Sequence, residues 1–530
     1  MDDITSALEA AAGHFGAGRF AEAEAACRAT LLLEPGNASA LHLFAHVALR
    51  TGRPREAAGA LSEAAAQYPD SPELQLNLGV ALKAAGDLES AATAYARAVA
   101  LRPEWPEAHY NLAAALHAQG HTGEAVASYA KALALRPAWP EALNGLGVAL
   151  LDAGETEKAA EAFEEATALR PGWFLPLYNL GKVAYVQGRM RAAADLFREA
   201  AAAEPGFYQP HLDLAVTLLR LGEFEEGWRE YEWRWGGRAP EAAGLSAPLW
   251  DGSPLAGRTL LLWAEQGLGD TIQFSRYVPL IRKDGGRILL RTQRQLARLL
   301  ENLPGVDAVV GEDEEAPADF QLPLLSLARV FGTTAETIPD TVPYLSAPTR
   351  DQEAAAELLA GAGAGLRVGI VWASGTGYLG HEARDCRPAD FASLARVPGV
   401  RLFGLQFGAA RGELSEGLGP EAVDLSGAVG DFATTAAFVE RMDLIITVDT
   451  AMAHLAGALG RPVWVLLNGR ADWRWMESRE DSPWYPTMRL FRQSSPGGWA
   501  GVFGRVESAL DALARQARPV SSSSSSATSR

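Results

Sequence analysis

The chain has 530 residues, 48% of them hydrophobic and 21% charged, which is an ordinary globular balance over a length that exceeds one domain. A formal net charge of −18 argues against a nucleic-acid duplex or an anionic lipid surface as partner, since both need a basic face, and no run of about 18 apolar residues is present to span a membrane. Two cysteines, Cys27 and Cys386, make neither a disulfide framework nor a zinc set, and the acidic start Met-Asp-Asp-Ile lacks a basic-then-apolar leader, so a cytoplasmic location is expected.

The first half is periodic. Glycine recurs at Gly18, Gly52, Gly86, Gly120, Gly154, Gly188 and Gly222, always 34 residues apart, and proline at Pro35, Pro69, Pro103, Pro137, Pro171 and Pro205 with the same interval. Five residues after each glycine stands a small residue (Ala23, Ala57, Ala91, Ala125, Ala159, Ala193, Gly227). Nine after it stands a larger one (Cys27, Leu61, Tyr95, Tyr129, Phe163, Phe197, Tyr231). This pattern predicts two antiparallel helices per unit: glycine at the turn, alanine where helices approach, the larger residue filling the gap between units, proline ending the second helix. One unit cannot bury its apolar face alone, but a stack can. The spacing resembles the tetratricopeptide repeat (TPR) over residues 1–235, in seven units.

Nine positions before the turn glycine the units read Asn77, Asn111, Asn179 and Asp213, with Gly145 interrupting. The row resembles the inner-groove asparagine ladder of the nucleocytoplasmic O-linked N-acetylglucosamine transferases. Asparagine both donates and accepts, so such a row suits an extended peptide backbone; packing against the neighbouring repeat is the other reading. His42/His46 and His117/His121 have the four-residue spacing of a metal pair, but no carboxylate or cysteine completes either, so groove or packing roles are expected. Cys27 stands at the large position of its unit and is expected in the core.

Beyond Gly222 the run Phe224 to Trp235 is rich in aromatics and predicts a hydrophobic cap facing the next domain, followed by a linker at 236–256 that contains Trp250. Short apolar runs then alternate with helical stretches. Strands are predicted at Thr259 to Trp263, Arg287 to Arg291, Val368 to Trp372, Arg401 to Leu405, Leu444 to Val448 and Val463 to Leu467. That alternation is the mark of parallel sheets with crossover helices. One α/β domain is placed at 257–350 and a second at 366–515; the tail 516–530, with its six serines, is expected to be disordered.

Three segments carry chemistry. In residues 260–281 a strand runs into Gly267-Leu-Gly269, and Asp270 opens a helix. Asp270 is either an N-cap or a catalytic base facing the cleft. In residues 443–467 a strand delivers Asp449 and Thr450 to a helix start, with His454 one turn later, which suits a pyrophosphate. A helix cap with a buried histidine is the alternative. In residues 368–388 a strand ends in Ser374-Gly375-Thr-Gly, with His381, Arg384 and Arg387 following, a set that suits an anionic donor or is only a loop. Cys386 has no base partner nearby in sequence and is not read as a nucleophile.

Taken in this order, with residues 472–493 (DWRWMESREDSPWYPTMRLFRQ), the segments resemble bacterial TPR glycosyltransferases whose catalytic half is similar to the ADP-heptose:lipopolysaccharide heptosyltransferases. The resemblance implies a multidomain fold, an all-α TPR solenoid followed by a GT-B α/β module of two Rossmann-like domains, with inversion and no catalytic metal or other cofactor. It implies Asp270 as general base and Asp449, Thr450 and His454 as the donor-phosphate motif, with His454 assisting catalysis. Gly267, Gly269, Ser374, Gly375, Arg384 and Arg387 complete the expected donor set. The chain departs from the family at Ala264, where glycine is common, at Asn468, where proline is common, and in the His381–Pro388 loop, which lacks the usual lysine. The implied reaction moves a sugar from a nucleotide-sugar to a protein acceptor held in the groove, flagellin being the first guess. A glycan or lipopolysaccharide transferase, and a non-catalytic TPR adaptor with a relic nucleotide site, are the competing readings.

Overall fold

Each turn glycine of the repeats has a positive φ, between 73° and 88°, the region where a side chain is strained. The computed structural model describes residues 2–236, 247–374, 384–418, 420, 422–469, 471–494 and 497–517. It divides into two compact units, Met1–Pro210 and His211–Arg530.

The first unit is a TPR solenoid of paired helices; with the pair Tyr208–Leu221 and Phe224–Tyr231 the series reaches fourteen helices among the described residues. Second helices end two residues before each periodic proline, as in Leu88–Leu101 and Thr122–Leu135. In four units the larger residue closes the core by resting on a residue with no side chain. A Cβ on Gly79 would stand 2.5 Å from the Tyr95 ring, one on Gly147 2.5 Å from Phe163, and one on Gly181 2.5 Å from Phe197, all within one repeat. Tyr129 packs instead against Gly145 of the next repeat. Cys27 is fully buried in this core.

A second device repeats on the surface. Arg102, Arg136 and Arg170, each just past the second helix of its unit, pair with a glutamate in the first helix of the same unit (Glu73, Glu107, Glu141). Each also lies over the indole of Trp105, Trp139 or Trp173, at 4.5–4.8 Å. Each tryptophan is the N-cap of the next helix, followed by proline at Trp105 and Trp139 and by Phe174 at Trp173, so one arginine fixes both the end of one unit and the entry to the next.

Among the described residues the second unit holds two sheets whose strands all pair in parallel, apart from one isolated antiparallel bridge, Asp481 to Arg489. The first contains β1 (Thr259–Trp263), β2 (Arg287–Arg291), β3 (Ala308–Val310) and β4 (Phe320–Pro323), in the order β3-β2-β1-β4. The second contains β5 (Leu366–Val371), β6 (Val400–Gly404), β7 (Ala422–Asp424), β8 (Leu444–Val448), β9 (Val463–Leu467) and β10 (Met488–Arg492), in the order β10-β9-β8-β5-β6-β7. Counted from its own first strand, the second sheet has the 3-2-1-4-5-6 order of a Rossmann fold, and the first sheet has its 3-2-1-4 part. Parallel strands buried on both faces need continuous apolar runs, and β8 (LIITV) is buried at every position.

Several details differ from the sequence expectation. The helix after β1 starts at Leu268, two residues before Asp270. Trp250 is buried rather than on a surface linker, and Leu249 pairs with Gln321 beside β4. β3, β4, β7 and β10 are additional strands. Residues 237–246 of the expected linker and 518–530 of the serine tail lie outside the described residues.

Phe224, Trp228 and Tyr231 are buried in one cluster with Phe274, Trp473 and Trp484. The Trp228 indole donates to the Thr333 carbonyl at 3.1 Å. Arg234 forms a two-pronged pair with Glu265 at 2.9 and 2.7 Å, both side chains 4% exposed. The aromatic run of residues 224–235 is thus part of the core of the second unit. A single core cluster joins it to residues of both sheets, including Leu260 of β1 and Ile445 of β8.

Candidate functional site

Doubly wound sheets bind ligands beyond the carboxyl ends of their strands, where the strand order reverses. In the first sheet that point is between β1 and β4, and the turn after β1 carries Gly267 to Asp270. In the second it is between β5 and β8, and the segments after them carry Ser374 and Asp449-Thr450. The helices leaving β1 and β8, Leu268–Phe274 and Ala451–Ala458, pack on each other, so the two switch points face one another.

Their closest approach is Gly269 against His454. A Cβ at position 269 would stand 2.8 Å from His454 Cδ2 and 3.4 Å from the Ala451 backbone. Only glycine lets the helices meet at this distance. The His454 ring is 5% exposed, stacks on Trp475 with centroids 5.4 Å apart, and shares a hydrogen bond at Nδ1 with the Tyr485 hydroxyl, 3.1 Å. Burial, then the charges of Arg474 and Arg276, holds its pKa well below 6.5, so the imidazole is neutral at pH 7.

Asp270 lies in the first turn of its helix rather than at the N-cap. Its Oδ2 accepts from the Gly267 N–H at 2.8 Å, and its Oδ1 accepts from Arg474 Nη2. Burial raises its pKa; Arg474 opposes that shift without cancelling it. Arg474 also donates to Asp472 Oδ1 at 2.8 Å and to Gln273 Oε1 at 2.6 Å, and lies 4.3 Å from the Trp473 ring centroid. Arg276, fully enclosed nearby, donates to the carbonyls of Trp484 and Pro339 and packs 4.4 Å from the Tyr485 ring centroid.

Thr450 is the N-cap of the helix after β8. Its hydroxyl accepts from the Met452 N–H at 3.2 Å and lies 3.1 Å from the Thr447 hydroxyl. Asp449 is next to it, with Arg384 Nη1 3.7 Å from Asp449 Oδ2. Burial, then the charge of Asp472, raises the Asp449 pKa. Asp270, Asp449 and His454 therefore share one neighbourhood, all three within the field of the Arg474 charge.

Other expected residues are placed differently. Ser374 gives both its N–H and its hydroxyl to Asp385 Oδ1, each at 2.8 Å. Arg387 is largely exposed and turned to Asp390, 3.2 Å away, apart from the Asp449 group. Gly375 and His381 lie outside the described residues. Cys386 is buried, and burial raises its thiol pKa.

In the solenoid, Asn77 Nδ2 is 2.6 Å from His42 Nε2, which is itself 3.1 Å from His46 Nε2. Asn111 donates to the Glu107 carbonyl of its own helix at 3.0 Å. Asn179, 6% exposed, donates to Asn144 Oδ1 at 2.9 Å. The row's gap at Gly145 is thus bridged from the adjacent Asn144. His117 pairs with Asp152, and His121 with Glu124. Among the described residues, no group of three or more His, Cys, Asp or Glu could hold a metal ion. Asp213 belongs to the second unit.

Arg474, Asp472, Tyr485, Trp475 and Arg276 had not been singled out from sequence. Four of them lie in residues 472–493, and the available signal was arginine between two tryptophans in a Trp-Arg-Trp run, where a cation has little access to water.

The TPR family profile matches residues 8–72, 42–106, 76–140, 110–172 and 178–232. The profile of glycosyltransferase family 9 (heptosyltransferase) matches residues 400–470, the stretch containing Asp449, Thr450 and His454. The chain thus carries TPR repeats and a glycosyltransferase family 9 segment. Protein FlbA of Caulobacter vibrioides is 31% identical over 56% of this chain, and the match spans about half, 54%, of that relative's length. Solved structures with similarity include MamA of Desulfovibrio magneticus RS-1 (28% identity, 32% of this chain, 95% of that one, TM-score 0.31). A TPR protein of Parabacteroides merdae ATCC 43184 gives 16%, 46%, 96% and 0.39. YrrB, described as a TPR protein with an unusual peptide-binding site, gives 17%, 34%, 92% and 0.31. Each covers less than half of this chain. No helix among the described residues is long and apolar enough to cross a membrane.

Proposed function

We propose that this chain is a glycosyltransferase that moves a sugar from a nucleotide-sugar to a hydroxyl of a protein or peptide acceptor recruited by its repeats. The observation that carries the reading is the meeting of Gly269, beside Asp270, with His454 across the two switch points, the Asp449-Thr450-His454 turn being in the stretch that matches family 9. The two Rossmann-like sheets are read as the halves of a GT-B module, the first on the acceptor side.

In this reading the helix N-terminus after Thr450, with Arg384, receives the donor diphosphate. Asp270 takes the proton of the acceptor hydroxyl. Its two contacts leave lone pairs on the carboxylate for that purpose. The hydroxyl oxygen attacks the anomeric carbon as the bond to the diphosphate breaks. The nucleoside diphosphate leaves with the bonding pair, and the sugar is inverted. Neutral His454 donates toward the leaving group from Nε2 when the Tyr485 hydroxyl donates to Nδ1. Arg384 and the helix dipole stabilise the leaving charge, so transfer is expected to persist in a chelator. The heptosyltransferase description of family 9 favours a glycan acceptor as the second reading. Flagellin is the first protein acceptor to assay.

The test is transfer of label from a nucleotide-sugar panel to flagellin and to lipopolysaccharide core. Asp270→Asn is expected to abolish transfer while nucleotide binding stays within threefold of the unsubstituted chain. Normal turnover in that variant contradicts the assignment of the base.

A further inference from the structure

A cavity of about 510 Å³ opens between β10 and the helix Trp499–Ala517, away from the Asp270 group, and four arginines line it: Arg479, Arg489, Arg492 and Arg505. In a chain of net charge −18, four guanidinium groups against one carboxylate, Glu480, on the wall of one cavity are a local reversal of sign. Only two of them are matched by carboxylates. Arg479 pairs with Asp481 at 2.8 and 2.6 Å, and Arg489 lies 3.6 Å from Glu480, which is largely exposed.

Among the described residues, neither Arg492 nor Arg505 has a carboxylate within ion-pair distance. Arg492 gives its hydrogens to the carbonyls of Arg479 (3.1 Å) and Trp475, and Arg505 donates to the carbonyl of Arg492. Carbonyl dipoles orient these forks but do not neutralise them. Burial, followed by the nearby charge of Arg220 and opposed by that of Glu477, brings the Arg492 pKa down to about 10. The Ser508 hydroxyl, bonded back to Gly504 O, is a further polar group on the wall.

We propose that this cavity is a binding site for a phosphate-bearing small ligand, a diphosphate being the match to the Arg505 guanidinium and the N–H groups of Arg492 that its carbonyl bonds leave over. Arginine recognises phosphate oxygens through two parallel N–H donors, and the volume is that of a small-molecule site. The site is separate from the donor turn. Trp475 links the two: its carbonyl holds Arg492 and its ring stacks on His454.

Inorganic pyrophosphate is the probe, titrated calorimetrically into the full chain, into Arg505→Gln and into Thr450→Ala. Arg505 is exposed, so its replacement leaves the fold intact, with circular dichroism as the check. A binding event that Thr450→Ala retains, that Arg505→Gln weakens at least tenfold, and that Arg505→Lys weakens less is expected. Absence of pyrophosphate binding in Thr450→Ala, or identical titrations of the full chain and Arg505→Gln, overturns the proposal whatever the donor turn does. Phosphatidylcholine vesicles doped with phosphatidate identify the source of the phosphate. Sedimentation that depends on Arg505 assigns it to a lipid headgroup, and none assigns it to a soluble ligand.

Discussion

Arg474 and Asp270 form a nearly buried ion pair, 9% and 13% exposed, although 204 residues separate them in sequence. The arginine comes from the segment after β9 of the six-stranded sheet and the aspartate from the helix after β1 of the four-stranded one. The pair therefore joins the two sheets at the point where the proposed base must be aimed. Asp472 and Gln273 hold the rest of the guanidinium, so its position is over-determined.

Removing one partner of such a pair leaves the other charge without compensation in a low-dielectric site. Arg474→Ala is expected to cost about 3–5 kcal/mol. Adding Asp270→Asn to it should cost less than the sum of the single losses. Urea unfolding of the two single variants and the double variant measures the coupling; strictly additive losses would show that the pair does not act as a unit.

Gly269→Ala places a methyl group against His454. Overpacking of this kind costs about 1–3 kcal/mol, and the His454 ring is already held by Trp475 and Tyr485. The variant is expected to unfold at lower urea and to bind nucleotide at least tenfold more weakly. Unchanged binding would remove the close approach from the account of the site.

The repeats separate two kinds of contact by size. Phe163 is fully buried against Gly147, and Phe163→Ala is expected to cost about 3–5 kcal/mol. Arg136 makes its ion pair and its indole contact while 44% exposed, and Arg136→Ala should cost about 1 kcal/mol or less. Thermal unfolding of the two variants ranks them; a larger loss for Arg136 would mean the surface device, not the core, sets the stability of the stack.

Acid acts on His454 in a defined direction. Its folded pKa is depressed, so below about pH 6.5 the unfolded chain takes up a proton that the folded site resists, and stability is lost as pH falls. The loss approaches about 1.4 kcal/mol per pH unit below that point. His454→Asn removes the titrating group, so the drop in urea midpoint between pH 7 and pH 5 is expected to be smaller in the variant. Equal drops would mean that the histidine is not held neutral by the fold.

The repeats were legible because a 34-residue period states the same turn, close approach and core residue seven times. The β1, β2, β8 and β9 strands were legible because each is built on a short run of mostly apolar residues, three between two arginines in β2. Those that escaped notice are short or mixed: β4 ends in Pro323, β7 is three residues with Asp424, and β10 alternates arginine with apolar residues as an edge strand. Asp270 and Thr450 could be found because each follows such a strand at a small-residue turn. Arg474 could not be assigned from spacing, since its partner is fixed only when two sheets meet. Arg387 shows the converse: a cation near a strand end in sequence that the fold turns toward Asp390 and solvent.

The central claim is a nucleotide-sugar site at the Asp449-Thr450-His454 turn. A thermal-shift screen of nucleoside diphosphates and nucleotide-sugars against the full chain, Arg505→Gln and His454→Ala tests it most directly. One nucleotide class is expected to stabilise the full chain and Arg505→Gln, by about 2.7 kcal/mol at 100 times its dissociation constant, and to leave His454→Ala unshifted. No shift from any nucleotide, or a shift that His454→Ala keeps in full, would contradict it.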